Sequence, residues 1–168
     1  MEQQPTIVFE PSFADVGIPV RATAGSAGYD ARAHVSGRRI RVTSAPGTVF
    51  ERVLSSGDRQ LVLEARETAL VPLGFKARLP AGYEAQIRLR SSVAFKKGLV
   101  LPNAPGTIDS DYPDEWLVML RNDSGGAVTI EHGERIAQIV LARYAVIEWV
   151  TGTVGVTTER RGGVGSTG

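Results

Sequence analysis

The chain has 168 residues, 42% of them hydrophobic and 22% charged, with a formal net charge of +1; this suffices for one globular domain with a sizeable core. A balance so near neutrality argues against a broad electrostatic footprint for nucleic acid or a membrane surface. Cysteine is absent, which excludes a disulfide framework and a thiol nucleophile.

In chain order, Met1 to Phe9 is polar and then briefly apolar at Ile7–Phe9. It lacks the basic start and long apolar run of a signal peptide. No apolar stretch approaches the length of a membrane span, so the expected location is the cytoplasm, or the host cytoplasm if the gene is viral. Val35 to about Leu63 reads as an insertion or long hairpin, with turn signals at Pro46-Gly47 and Ser55-Ser56-Gly57-Asp58. Two readings stay open for it: a surface hairpin of no further consequence, or a docking place for a protein partner. The small basic clusters Arg38, Arg39, Arg41 and Arg160, Arg161 read as solvated surface.

Short, β-branched segments follow at Ala69–Val71, Glu84–Leu89, Trp116–Leu120, Ala127–Ile130 and Ile136–Tyr144. Their lengths and close spacing predict an all-β sandwich or barrel. Between them one short helix is expected, capped by Ser91 or Ser92, formed by Val93–Lys97 and ended by Gly98. Its start would offer backbone N–H groups to an anion. Thr157 to Gly168 is glycine-rich with little apolar content, as a flexible tail would be. The expected organisation is one β domain over 1–156 and a tail over 157–168.

Familiar catalytic constellations are missing. There is no Gly-x-x-x-x-Gly-Lys-Ser/Thr loop. His34 and His132 lie far apart and fit no metal-ligand spacing. What stands out is Leu101-Pro102-Asn103-Ala104-Pro105-Gly106-Thr107-Ile108-Asp109-Ser110-Asp111-Tyr112, a turn-rich hairpin between apolar runs. An Asn side chain and exposed hairpin backbone can read donors and acceptors on a base edge, and a carboxylate can take a proton from water. Read alone, the segment is equally a polar hairpin tip.

Five segments in order give the chain a specific resemblance. Gly25-Ser26-Ala27-Gly28-Tyr29-Asp30, Arg90-Ser91-Ser92-Val93-Ala94, Gly106-Thr107-Ile108-Asp109-Ser110-Asp111-Tyr112, Gly133-Glu134-Arg135-Ile136-Ala137-Gln138 and Gly162-Gly163-Val164-Gly165-Ser166-Thr167-Gly168 resemble the five motifs of the trimeric dUTPase family. The resemblance runs from about residue 5 to the end, apart from the Val35–Leu63 excess. It implies a mainly β, jelly-roll-like β-barrel with one short helix and a C-terminal arm that closes over a neighbouring active site. It also implies a homotrimer with sites shared between subunits, and Mg²⁺-dependent hydrolysis of dUTP to dUMP and pyrophosphate, which keeps uracil out of DNA and supplies dUMP.

The same resemblance assigns roles. Asp109 would be the base that activates water for in-line attack on the α-phosphorus. Arg90, Ser91, Ser92 and Gln138 would bind phosphate, joined from the tail by Arg160, Gly165, Ser166 and Thr167. Asn103, Gly106, Thr107, Ile108 and Val164 would face uracil, and Tyr112 would stack on deoxyribose. Mg²⁺ would be held chiefly by triphosphate oxygens and waters, with Asp30 near its water shell. Read outside this context, Ser91 and Ser92 are simple caps and Tyr112 is ordinary hairpin packing.

Three departures qualify the match. Val164 stands where the family has a phenylalanine on uracil, which implies weaker substrate retention, since base–aromatic stacking is worth roughly 1–3 kcal/mol. Glu159 takes the place of the tail arginine, leaving Arg160 or Arg161 one step out of register. Tyr112-Pro113-Asp114 lacks the family's glycine after the Asp-Tyr pair, although Asp tolerates left-handed backbone. Two rival functions follow: a dCTP deaminase of the same fold, which also carries an Arg-Ser-Ser motif, and a dUTPase-like nucleotide-binding regulatory protein. The Ile108–Tyr112 string favours dUTP hydrolysis over the first. Retention of Asp109, Ser91 and Gln138 argues against the second.

Overall fold

A computed structural model describes residues 4–45 and 47–157. Arg160, Val164, Gly165, Ser166 and Thr167 lie outside the described residues. The strands are β1 (Val8–Pro11), β2 (Tyr29–Arg32), β3 (Arg39–Ala45), β4 (Thr48–Val53), β5 (Gln60–Leu63), β6 (Thr68–Pro72), β7 (Phe75–Arg78), β8 (Tyr83–Leu89), β9 (Leu99–Val100), β10 (Gly106–Ile108), β11 (Leu117–Asn122), β12 (Val128–Glu131) and β13 (Arg135–Arg143), with helix α1 over Ser91–Lys97.

Two larger sheets, ordered β10-β8-β13-β2 and β4-β3-β6-β11-β9, are accompanied by the two-stranded pairs β1-β7 and β12-β5. This is the expected mainly β, jelly-roll-like architecture, with the described strands divided among four sheets. Alternation explains the faces. In β11, Val118, Leu120 and Asn122 point inward while Leu117, Met119 and Arg121 do not, the period of two a half-buried strand requires. One core draws Ala31, Ala85, Ile87, Ile136, Ala137 and Ile139 from the first large sheet and Ile40, Val42, Ala69, Val71, Val118 and Leu120 from the second. Trp116 is its largest fully buried side chain. Among the described residues no helix is long and apolar enough to cross a membrane.

The stretch Val35–Leu63 supplies β3, β4 and β5. It buries Val35, Ile40, Val42, Leu54, Leu61 and Leu63 in that core. Its outer strand is tied back by an ion pair: the Arg52 guanidinium donates to both Glu67 carboxylate oxygens at 3.0 Å, while Glu64 N–H donates to Glu67 Oε2 at 2.8 Å. Burial disfavours the Glu67 charge, but these donors outweigh it and hold the carboxyl below its usual range. A carboxyl with a depressed folded pKa stabilises the fold fully above its unfolded value, about 4.3, and less as pH falls through the lowered folded value. Glu67→Gln therefore makes stability less steeply dependent on pH below about 4.3, measured as thermal midpoints across an acid series; an unchanged slope contradicts the assignment.

Candidate active site

The residues expected to bind phosphate gather where β2, β13 and the end of β8 meet. Gln138 lies opposite Asp30 in β2 and opposite Arg88 in β8. The Asp30 carboxylate is buried, with Arg135 Nη1 3.1 Å from Oδ2 and Arg90 Nε 3.6 Å from Oδ1. Burying a carboxylate is tolerable because two guanidiniums face it. One carboxylate against two guanidiniums leaves this corner net positive, suited to an anion. Arg135 sits inside the fourth motif, yet sequence reasoning gave it no role. What marks it in the structure is its side-chain bond to Asp30.

Helix α1 begins at Ser91, two positions before the expected span of Val93–Lys97. The expected capping is corrected: the N-cap is Arg90, extended at φ −71 and ψ 135, and it makes no side-chain cap hydrogen bond. Arg90 takes that place because β8 runs into it directly and its N–H still pairs with Ile136 C=O at 3.3 Å. Ser91 and Ser92 thus become exposed first-turn residues. Gly98 ends the helix in the left-handed region at φ 65, as expected.

Gly28 is buried directly against Gln138. A Cβ there would lie 2.9 Å from Gln138 Cβ and 3.1 Å from its Cδ, closer than carbon atoms pack. Gly28→Ala is therefore expected to displace Gln138 and, on the phosphate-binding role expected for that residue, to lower kcat/KM about tenfold, the loss of one hydrogen bond to a charged group. Steady-state kinetics check it, and wild-type values would refute the seating role.

The hairpin half lies on the other side of the same sheet. β10 pairs with β8 as Gly106↔Ile87, Thr107↔Gln86 and Ile108↔Ala85. Gly106 lets Asn103 pack closely: a Cβ there would be 3.3 Å from Ile87 Cβ and 3.4 Å from Asn103 Nδ2. Asn103, Thr107 and Asp109 are exposed, Ile108 and Tyr112 half-buried. Asp109 C=O accepts from Tyr112 N–H at 3.2 Å, closing a turn over Ser110 and Asp111 that ends before Pro113. Tyr112 packs on the core and donates its hydroxyl to Glu115 C=O at 3.4 Å. It borders a groove of about 340 Å³ lined also by Glu10, Lys76, Arg78 and Asp111.

The two halves do not meet in one chain. Asp109 follows Ile108, whose partner Ala85 precedes Ser91 along β8 and its extension. At about 3.3 Å per extended residue, Asp109 and the serines stand on the order of 20 Å apart. A base must lie within hydrogen-bond reach of the water it activates, and that water beside the reacting phosphorus. One copy therefore presents Asp109 and its hairpin, but not the corner of Asp30, Arg90, Arg135 and Gln138 with them.

The histidines, remote in sequence, converge elsewhere. Gly133 N–H donates to Ala33 C=O at 2.7 Å, which brings the His34 and His132 rings to 4.6 Å. Asp15 bridges them, Oδ1 at 3.2 Å from His34 Nε2 and Oδ2 at 2.9 Å from His132 Nε2. Among the described residues this is the one set of three side chains spaced to hold a metal ion. His132 Nδ1, however, accepts Val35 N–H at 3.2 Å and Ser36 N–H at 3.1 Å. The ring proton therefore sits on Nε2 and points at Asp15, leaving no lone pair there for a metal. The cluster is a clasp for the turn carrying Phe13 and Asp15. Hydrogen bonds from both histidines help to hold the Asp15 carboxyl below its usual range.

A family model described as dUTPase matches residues 55–168. A deoxyuridine 5'-triphosphate nucleotidohydrolase of Desulfotalea psychrophila is 43% identical over 80% of this chain and 93% of its own. Its namesake in Caulobacter vibrioides is 39% identical over 92% and 88%. The solved structure of a Staphylococcus bacteriophage 80alpha dUTPase with dUPNHPP superimposes with a TM-score of 0.75 over 97% of this chain and 98% of that one, at 23% identity, a likeness of fold.

Proposed function

Because the chain belongs to the dUTPase family, we propose that it hydrolyses dUTP to dUMP and pyrophosphate, at sites that two or more copies complete together. The observation that carries this reading is the division of the site. The base-reading hairpin with Asp109 and the net-positive corner of Asp30, Arg90, Arg135 and Gln138 are both built, yet lie on the order of 20 Å apart along one strand. A second copy bringing its corner to the first copy's hairpin reconciles them, and a homotrimer with shared sites is the assembly we propose.

In that arrangement the hairpin around Asn103 and Gly106 holds the uracil edge. Tyr112 covers the deoxyribose, and the partner copy's corner binds the triphosphate. Asp109 takes a proton from the attacking water as its oxygen closes on the α-phosphorus, and pyrophosphate leaves. Arg90, Gln138 and the Ser91 and Ser92 hydroxyls offset negative charge on the phosphate oxygens, which is positioning and electrostatics rather than covalent chemistry. Mg²⁺ arriving on the triphosphate would neutralise part of that charge when bound. The residues fit a cation held mainly by substrate: both Asp30 oxygens already face guanidiniums, so Asp30 serves through water rather than as a direct ligand. Tail residues Arg160, Val164, Gly165, Ser166 and Thr167 are proposed to close over the loaded site.

The point of attack is tested by turnover in ¹⁸O-water. The reading predicts label in dUMP and none in pyrophosphate; label in pyrophosphate, or dUDP and phosphate as products, overturns it.

A further inference from the structure

The loop from Asp109 to Trp116 carries both the proposed base and Tyr112, and it is held from outside itself. Trp116 anchors its end, donating N–H to Phe75 C=O at 3.1 Å and accepting Leu73 N–H at 3.0 Å. Just before it, the Glu115 carboxylate accepts Arg38 Nη1 at 2.9 Å, Arg38 Nη2 on its other oxygen, and Gly74 N–H at 2.8 Å. The Glu115 backbone carbonyl takes the Tyr112 hydroxyl. The side chains of Arg38 and Glu115 are only 16% and 21% exposed. The guanidinium also lies 5.0 Å over the Phe13 ring, which stacks 4.1 Å from His34. A paired guanidinium fork, mostly out of water and packed on an aromatic face, fixes direction as well as distance.

Arg38 belongs to Val35–Leu63, the stretch outside the resemblance to the family motifs. We infer that Arg38 is a positioning residue for the substrate site: through Glu115 it sets where Tyr112 stands, and so sets the preference for deoxyribose over ribose. This rests on the hydrolysis proposed above. Tyr112 excludes a 2′-hydroxyl only if its ring cannot recede. Tyr112 borders a groove with Lys76 and Arg78, open space into which an unrestrained ring would recede. The Glu115 carbonyl and the Arg38 fork hold it back. The excess segment is thereby joined to the chemistry without touching substrate.

The test measures kcat and KM for dUTP and for UTP in Arg38→Met, which keeps the stem over Phe13 and removes the fork. Glu115→Gln, which keeps the shape and the Gly74 bond, gives a second reading should the first variant not fold. The expected result is a fall of about tenfold or more in the dUTP-to-UTP ratio of kcat/KM, the scale of one lost bidentate charge-assisted contact. It should appear mainly in KM and be partly restored by Arg38→Lys. Arg52→Met is the control. It breaks the equally forked pair with Glu67, away from the loop, and should lower Tm at least as much while leaving the ratio unchanged. An unchanged ratio in both Arg38→Met and Glu115→Gln overturns the inference, as does an equal fall in Arg52→Met. A wild-type protein without dUTP turnover overturns the hydrolysis reading as well, and is distinguished by the wild-type assay alone.

Discussion

Asp109→Asn should cut dUTP turnover by a factor of about 10³ or more while nucleotide binding survives. A positioned general base contributes roughly 10²–10⁴, and here the carboxylate has no local substitute in the right place. Asp111, two residues on, is exposed on the groove side of the turn that Tyr112 closes. Asn keeps the shape and most of the hairpin contacts but cannot take the proton. The fold should be indifferent, because Asp109 is exposed and only its backbone carbonyl closes the turn. Calorimetric binding of a non-hydrolysable dUTP analogue, beside the kinetics, separates the two effects. Loss of binding in step with turnover would make Asp109 a binding residue instead.

The second large effect is a gain. Asp109→Asn lacks the base, and a Ser91→Ala/Gln138→Ala double variant lacks much of the phosphate corner. Each should be nearly inactive alone. Since the two lesions fall on the order of 20 Å apart in one chain, mixing and reassembling the variants should restore activity. When each site takes its base from one copy and its phosphate corner from another, random one-to-one assembly leaves about a quarter of sites with both intact. Recovery near that fraction of wild-type activity supports shared sites. No recovery, with mixed assembly shown by mass, would place the complete site within one copy and contradict the division drawn here.

Much of the fold was legible because strand periodicity survives single-sequence reading. Glu84–Leu89, Trp116–Leu120 and Ile136–Tyr144 each fall on or largely within an observed strand. Strands β2, β7 and β10 were not, since they are three or four residues long and take their places from partners distant in sequence. Val35–Leu63 read as an insertion from its turns and charges. Its alternate apolar residues, Ile40 with Val42 and Leu61 with Leu63, were the signal that it builds core. The serine cap was misplaced because residue preference cannot see that β8 delivers Arg90 to the cap in extended form.

The candidate site was legible as motifs and not as geometry. The five segments name the residues, but spacing alone cannot reveal that Gly106 and Gly28 seat Asn103 and Gln138, or that Asp30 lies between Arg90 and Arg135. The Asp15–His34–His132 clasp depends on hydrogen bonds that cross the fold, for which no local pattern exists. The same holds for Arg38 and Glu115, which sequence distance separates and a guanidinium fork joins.

The central claim is that the hairpin selects deoxyuridine triphosphate for hydrolysis. It is tested most directly by measuring pyrophosphate and ammonia release by the wild-type protein from dUTP, dCTP, dTTP and UTP with Mg²⁺. Rapid pyrophosphate release from dUTP, with little from the other three and no ammonia from dCTP, is the predicted result. Ammonia from dCTP, or no pyrophosphate from dUTP, would contradict it.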